Sequence, residues 1–334
     1  MLQYLVRRLL AVLPTLIGVA VVVFALIRLI PGDPAEVLLG GFATPERVAL
    51  MRRDLGLDQP ILVQFGVWAK DLVTGNLGRS IMSQSPVAQE IWSRFPATLE
   101  LTVLSTCFAL LVGITLGAVS AAAHNTRLDL VTTIVSVLGM SIPIFWLGLM
   151  LLYLLGIWFR VLPISGRLDL AIVLPKITGL VLVDSLIQHN WAALADGLKH
   201  LILPAFTLAV IPIATISRMT RTSMVEVLRQ DYISVARAKG LIERVVVGRH
   251  ALKNALIPVI TVAGTRFGMQ LAGAVLVEVV YGWPGVGRLI FDAIQKRDYP
   301  IIQGAILFIA CMFVFINLLT DLLYAVVDPR IRFE

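Results

Sequence analysis

The sequence predicts an all-α integral membrane protein with six transmembrane helices. Three observations predict it. Of 334 residues, 58% are hydrophobic and 15% charged, against about 45–50% and about 25% in soluble domains. The mean hydropathy is +0.89. The apolar residues also gather into stretches of the length a bilayer requires, about 20 residues, at 9–30, 99–123, 130–158, 201–220, 256–280 and 302–327. These are long runs of Leu, Val and Ile. A barrel would show short alternating strands, so helices are the spanning form.

The first apolar stretch, Leu9 to Ile27, exceeds the roughly 7–15 residues of a signal-peptide core. An uncleaved helix is expected, with Arg7 and Arg8 held inside. Residues 31–98 form an extracytoplasmic loop region. Its turn signals "PGDP" and "TGNLG", and apolar positions at helical spacing around Ile61–Leu72, predict a folded segment. Pro96 and Thr98 announce the second span, with Thr98 as N-cap and Glu100 in the first turn. Residues 99–334 make a five-helix core that includes the loop 221–255. Pro143 predicts a tolerated kink in the third span. Segment 171–187 is apolar, but Lys176 and Asp184 interrupt it. A central charge costs about 2.5–3.5 kcal/mol, so an external loop is expected.

With six spans and an inside N-terminus, loop 221–255 lies in the cytoplasm, as do both termini. Stretch 217–255 carries Arg218, Arg221, Arg229, Arg237, Lys239, Arg244, Arg249 and Lys253 against Glu226, Asp231 and Glu243. That excess is what the positive-inside rule expects; Arg127, Arg330 and Arg332 agree with it. Within this loop Val225, Leu228, Tyr232, Val235 and Ala236 read as a narrow apolar stripe. Gly240 can take the left-handed conformation that stops a helix. A second short helix, about 242–254, then leads back to the membrane at Pro258. Two readings of the first helix stand: an amphipathic connector on anionic lipid, or a docking element for a cytoplasmic protein. The small residues Ala236, Ala238 and Gly240 favour docking, because they permit close approach.

Cys107 and Cys311 lie in apolar runs and read as small buried hydrophobes. The four histidines show no metal-ligand spacing. No glycine-rich phosphate loop, nucleophile elbow or zinc-binding helix motif is present, so no enzyme and no cofactor is expected in this chain. The basic loop has little aromatic interleaving, which argues against nucleic acid.

"DYISVARAKGLIERVVVGRHALKNALIPVITV" from Asp231 resembles the loop signature of inner-membrane permeases of ABC importers, in its dipeptide and oligopeptide version. "IPGDP", "LGLDQP", "GNLGRS", "FPATLEL", "SIPIFWLG", "WPGVGRLIFDAIQKRDYP" and "DPRIRFE" extend the resemblance along the chain. It is most like the first permease subunit of the dipeptide branch. The resemblance implies a type I importer permease in a bacterial inner membrane, carrying dipeptides or short peptides, with oligopeptides, glutathione or nickel chelates as alternatives. Implied partners are a second homologous permease, two ATPases that bind ATP and Mg, an extracytoplasmic binding protein, the peptide and membrane lipid. Implied ATPase-coupling residues are Asp231, Val235, Ala236, Arg237, Ala238, Lys239, Gly240 and Leu241. An ion-coupled secondary transporter is the alternative class, although no inverted repeat is evident.

Arg266, near the middle of the fifth span, is either a pathway residue or a structural partner for an acid such as Asp321; Gln270 is a second pathway candidate. Gly264, Gly268, Ala272 and Gly273 form a small-residue face for a close helix contact, with a partner permease favoured. Glu278, Trp283, Pro284 and Gly285 are expected at the outer mouth, facing the binding protein, or as a turn with a membrane-anchoring tryptophan.

Overall fold

The computed structural model describes residues 2–29, 33–54 and 56–327. Arg330, Arg332 and the rest of "DPRIRFE" lie outside the described residues. Among those described, every regular element is helical, and the one β feature is an isolated bridge between Arg79 and Pro86. The helices are α1 (Leu2–Leu29), α2 (Pro34–Leu39), α3 (Pro45–Asp54), α4 (Ile61–Val73), α5 (Val87–Ala122), α6 (Arg127–Ser141) and α7 (Ile144–Leu151). Then follow α8 (Val181–Ile187), α9 (Trp191–Leu228), α10 (Asp231–Ala238), α11 (Glu243–Val245), α12 (Leu252–Val280), α13 (Val286–Lys296) and α14 (Tyr299–Val327).

Among the described residues four helical stretches are long and apolar enough to cross a membrane: Val87–Ala122, Trp191–Leu228, Glu243–Val280 and Tyr299–Leu322. A shorter apolar helix covers Val12–Arg28. The expected third span is not one kinked helix. Ile142 and Pro143 are both extended, at ψ 126° and 129°, and α6 and the helix after it meet at 101°. Proline supplies no N–H to continue the ladder and pushes its predecessor out of the α region. The chain is therefore broken there, and it counts as a fifth span only if both arms are taken together. After α7 the helix widens into a π turn over Leu152–Trp158.

The second span starts earlier than Thr98. α5 begins at Val87 and carries Pro96 inside it. Thr98 is no N-cap: it is buried in the helix, and its hydroxyl donates to Glu278 Oε1 at 2.6 Å. The fifth span is likewise longer than expected, running unbroken from Glu243 through a π turn at Val246–Ala251 and through Pro258.

Two compact units emerge. One contains residues 1–96 and 284–311, the other 97–283 and 312–334. In the first, Val23 and Ile27 of α1, Val87 and Ile91 of α5, Leu289 and Ile290 of α13 and Ile301 and Ile302 of α14 share one core. Buried Asp298 accepts hydrogen bonds from the Ser80 hydroxyl and the Ile81 and Met82 amides, tying loop 74–86 to α14. The helix expected around Ile61–Leu72 is α4, whose Phe65 and Trp68 stack on Phe24 at 5.1 and 5.5 Å.

In the second unit α9 is the central post. It buries Leu201, Leu203, Ala205, Leu208, Ala209 and Ile216 against α5 and α12. Gly113 and Gly117 of α5 let the two backbones touch, since a Cβ on Gly117 would stand 2.5 Å from the Ser217 carbonyl oxygen. Near this crossing, buried Asp129 of α6 pairs with Arg221 of α9 at 2.6 Å and accepts from Ser120 Oγ at 2.6 Å. Segment 171–187 is an irregular loop ending in α8. The interrupting Asp184 is its knot: buried, it accepts from the Ile177, Thr178 and Gly179 amides and the Thr178 hydroxyl at 2.6–3.2 Å. Burial favours its neutral form, but these four donors outweigh that and hold its pKa below the ordinary carboxylate range. Cys107 and Cys311 are not the buried hydrophobes expected: Cys107 is exposed on α5 and Cys311 only half-buried.

Candidate functional site

The loop signature folds into a small, braced helix. α9 ends at Leu228, where Arg229 flattens to ψ −3° and Gln230 extends to ψ 149°. This turn resets the helical phase, so the expected stripe 225–236 does not continue along one face. α10 instead buries Ile233 and Ala236 against Met224 of α9, Ala121 of α5, and Val246, Ala251 and Ala255 on the way into α12. Ala236 is thus an anchor of α10 to its own chain. Tyr232, Val235, Leu241 and Ile242 point outward, with Val235 52% and Ile242 67% exposed.

Gly240 ends the helix as expected. It sits at φ +77°, its N–H donates to Arg237 O at 2.9 Å, and the Leu241 N–H donates to Ala236 O at 3.4 Å. That is the paired bonding of a Schellman cap, which satisfies carbonyls left open at a helix end. A Cβ on Gly240 would meet nothing within 4 Å, so the glycine serves conformation and leaves the surface open. Beyond it, Arg237 grips Glu243 through two bonds, 2.7 and 3.1 Å, and Asn254 donates to the Tyr232 hydroxyl at 2.8 Å. Asp231, Ala238 and Lys239 are exposed. Among the described residues Arg229, Lys239, Arg244, Arg249 and Lys253 form no ion pair, whereas Arg221 and Arg237 do. The result is an apolar patch rimmed by cations and fixed to three long helices.

The pathway candidates separate. Arg266 is half-buried, and its hydrogen bond goes to Met269 Sδ at 3.9 Å within its own helix. Among the described residues it makes no ion pair, so Asp321 is not its partner. Gln270 is held inside the chain. It is buried, donates to Ser105 Oγ and Leu208 O at 2.6 and 3.1 Å, and accepts from Thr106 Oγ1 at 2.7 Å. One amide thereby bridges α5, α9 and α12. The small-residue face also divides. A Cβ on Gly264 would overlap the Thr320 side chain, and one on Gly268 would press on Phe313 at 3.1 Å, so both are filled by α14. Ala272 and Gly273 are exposed, with nothing within 4 Å of a Cβ on Gly273.

Two residues expected at the outer mouth are inside the chain. Glu278 is fully buried, and Trp283 is fully buried with its indole N–H on Ala97 O at 2.8 Å. The Arg167 guanidinium lies 5.5 Å from the Trp283 ring and pairs with buried Glu100. A large aromatic with a polar handle is stable in a core once that handle is bonded, so Trp283 is a packing plug and not a membrane anchor. Pro284 is exposed, and Gly285 is the buried, extended residue before α13.

Sequence reasoning missed three features. Asp129 and Arg221 each stand out as a charge at the end of an apolar run, but nothing in the sequence pairs them. Gly113 and Gly117 carried a signal in their four-residue spacing. Ile242 lies within the quoted signature, but nothing there marked it as outward-facing.

Residues 113–333 match the family described as the inner membrane component of binding-protein-dependent transport systems, and residues 1–102 match the N-terminal family of such membrane components. The dipeptide transport system permease protein DppB of Alkalihalophilus pseudofirmus is 46% identical over 333 residues, covering 100% of both chains. The di/tripeptide transport system permease protein DppB of Pseudomonas aeruginosa is 45% identical, covering 100% of both. The glutathione transport system permease protein GsiC of Salmonella choleraesuis is 40% identical, again covering 100% of both.

Proposed function

The chain belongs to the family of inner membrane components of binding-protein-dependent transport systems, and on that premise we propose that it is a permease subunit of an ATP-driven importer, forming half of a path for dipeptides or short peptides. The observation that carries the coupling part is the outward apolar patch of Tyr232, Val235, Leu241 and Ile242 on a helix whose other face is locked into the core. Such a patch ringed by polar groups suits a protein partner. The partner is an ATPase subunit, which binds ATP and Mg in place of this chain. A second homologous permease completes the path, and an extracytoplasmic binding protein delivers the peptide. The loop 221–255 and both termini face the cytoplasm.

In this mechanism the ATPases move α10 when they close on nucleotide. Ile233 and Ala236 pass that motion to α5, α9 and α12 together, because all three contribute to the cluster around them. Gln270 ties the same three helices farther along. They therefore shift as a block, and hydrolysis returns it. Val235→Asp with Ile242→Asp tests the patch without touching the core. Co-purification of the ATPase and peptide uptake should both be lost while the chain remains in the membrane. Unchanged ATPase recovery contradicts the proposal.

A further inference from the structure

We propose that the first compact unit contains a binding site for the phosphate head group of an anionic phospholipid. A cavity of about 490 Å³ opens there, between the end of α1, helix α4, loop 74–86 and the start of α14. Two guanidiniums line it, Arg28 and Arg79. Among the described residues neither forms an ion pair. Among the described residues Arg28 hydrogen-bonds to Gln64 Oε1 and the Phe24 carbonyl, with its guanidinium 3.4 Å over the Phe24 ring, and Arg79 to the Gln84 carbonyl, so both keep N–H donors to spare. Gln303, 5% exposed, lines the same cavity, and its Nε2 has no hydrogen-bond partner. Asp71 also lines the cavity and is the one carboxylate there; the two cations outnumber it. Convergent donors with a positive surplus suit an oxyanion.

The rest of the wall selects a lipid over a free anion. Val63, Val67 and Trp68 of α4 contribute an apolar side. Leu62 is 84% and Val73 88% exposed on the same helix, so acyl chain could continue along it. Arg28 closes the apolar run Val12–Arg28, which places the cavity where a spanning helix leaves hydrocarbon and head groups begin. Charge-assisted bonds from guanidiniums to a phosphate act on either face of a membrane, and Trp is at home at that depth.

The test uses the full chain, delipidated in neutral detergent and titrated separately with phosphatidylglycerol, phosphatidylcholine and glycerol phosphate, with bound molecules counted by native mass spectrometry. The wild type should retain one phosphatidylglycerol with affinity about tenfold above phosphatidylcholine, and Arg28→Gln or Arg79→Gln should each lower it by about tenfold, as expected for a lost charge-assisted bond. Arg79→Lys should recover part of that loss. Glycerol phosphate binding as tightly as intact lipid would assign the site to a free anion and overturn the proposal. Equal retention of phosphatidylcholine by the wild type would overturn it without any variant.

Discussion

Replacing Gly117 by alanine adds one methyl to the tightest helix crossing in the second unit. The new carbon would stand 2.5 Å from the Ser217 carbonyl oxygen, 2.6 Å from Thr220 Cβ and 3.1 Å from the Arg221 amide nitrogen. An unstrained carbon contact needs about 3.5 Å, so α5 and α9 must separate by roughly 1 Å. Two of the three obstacles are backbone, and no rotamer change relieves them. A gap of that size forfeits a quarter to a half of each dispersion contact along the seam, and overpacking of this kind costs about 1–3 kcal/mol. Better helix propensity returns about 1 kcal/mol. With backbone on both sides the cost lies at the upper end, leaving a net loss of about 2 kcal/mol. In a thermal unfolding scan of the detergent-solubilised chain, the midpoint should fall by about 4 °C. Gly66→Ala is the control, because nothing lies within 4 Å of its Cβ on exposed α4; it should leave the midpoint unchanged or raise it. Equal stability of Gly117→Ala and wild type would refute the close α5–α9 crossing.

Other predictions follow from the same contacts. Gln270→Leu strands the partners of three hydrogen bonds, so it should destabilise by about 1–3 kcal/mol, and the midpoint should drop as for Gly117→Ala. Gly240→Trp should abolish ATP-driven uptake with normal membrane insertion, whereas Gly240→Asn, which tolerates φ +77°, should retain much of it; equal uptake by both would remove the docking argument. Asp184 has a depressed folded pKa, so its stabilisation is complete above the ordinary carboxylate range near about pH 4 and is lost as pH falls through the lower folded value. Proteolysis within 171–190 should therefore be slow at neutral pH and accelerate in acid. Asp184→Asn should be cleaved fast at both, and a variant with wild-type pH dependence would assign the knot to another group.

Four of the six expected spans, those after the first loop other than the broken third, were legible because lipid leaves the backbone no choice but helix and leaves long apolar runs as a record. The stop at Gly240 was legible because it is a local property of one residue. What hydropathy could not record is which face of each helix meets protein. In a greasy chain, buried and lipid-facing positions have the same composition. Hence nothing in the sequence marks Ile233 as the anchor of α10, Gln270 as a buried bridge between three helices, or Trp283 as the plug of a core. Pro143 predicted a bend, but its size depended on Ile142 also leaving the helix, which only the neighbouring backbone decides. Pro96 misled in the opposite direction: a proline ten residues into α5 was read as its beginning. The reach of Arg221 to Asp129 spans 92 residues of sequence, and no local pattern encodes such a pairing.

The proposed coupling requires that α10 and its flanking turn face the cytosol as the surface an ATPase grips. A single cysteine at Lys239, with Cys107 and Cys311 replaced by alanine, tests this in intact cells. A membrane-impermeant maleimide should leave it unlabelled until the cells are opened, and assembly with the ATPase subunits should then slow the labelling. Rapid labelling from outside intact cells would place the loop on the opposite face and contradict the account.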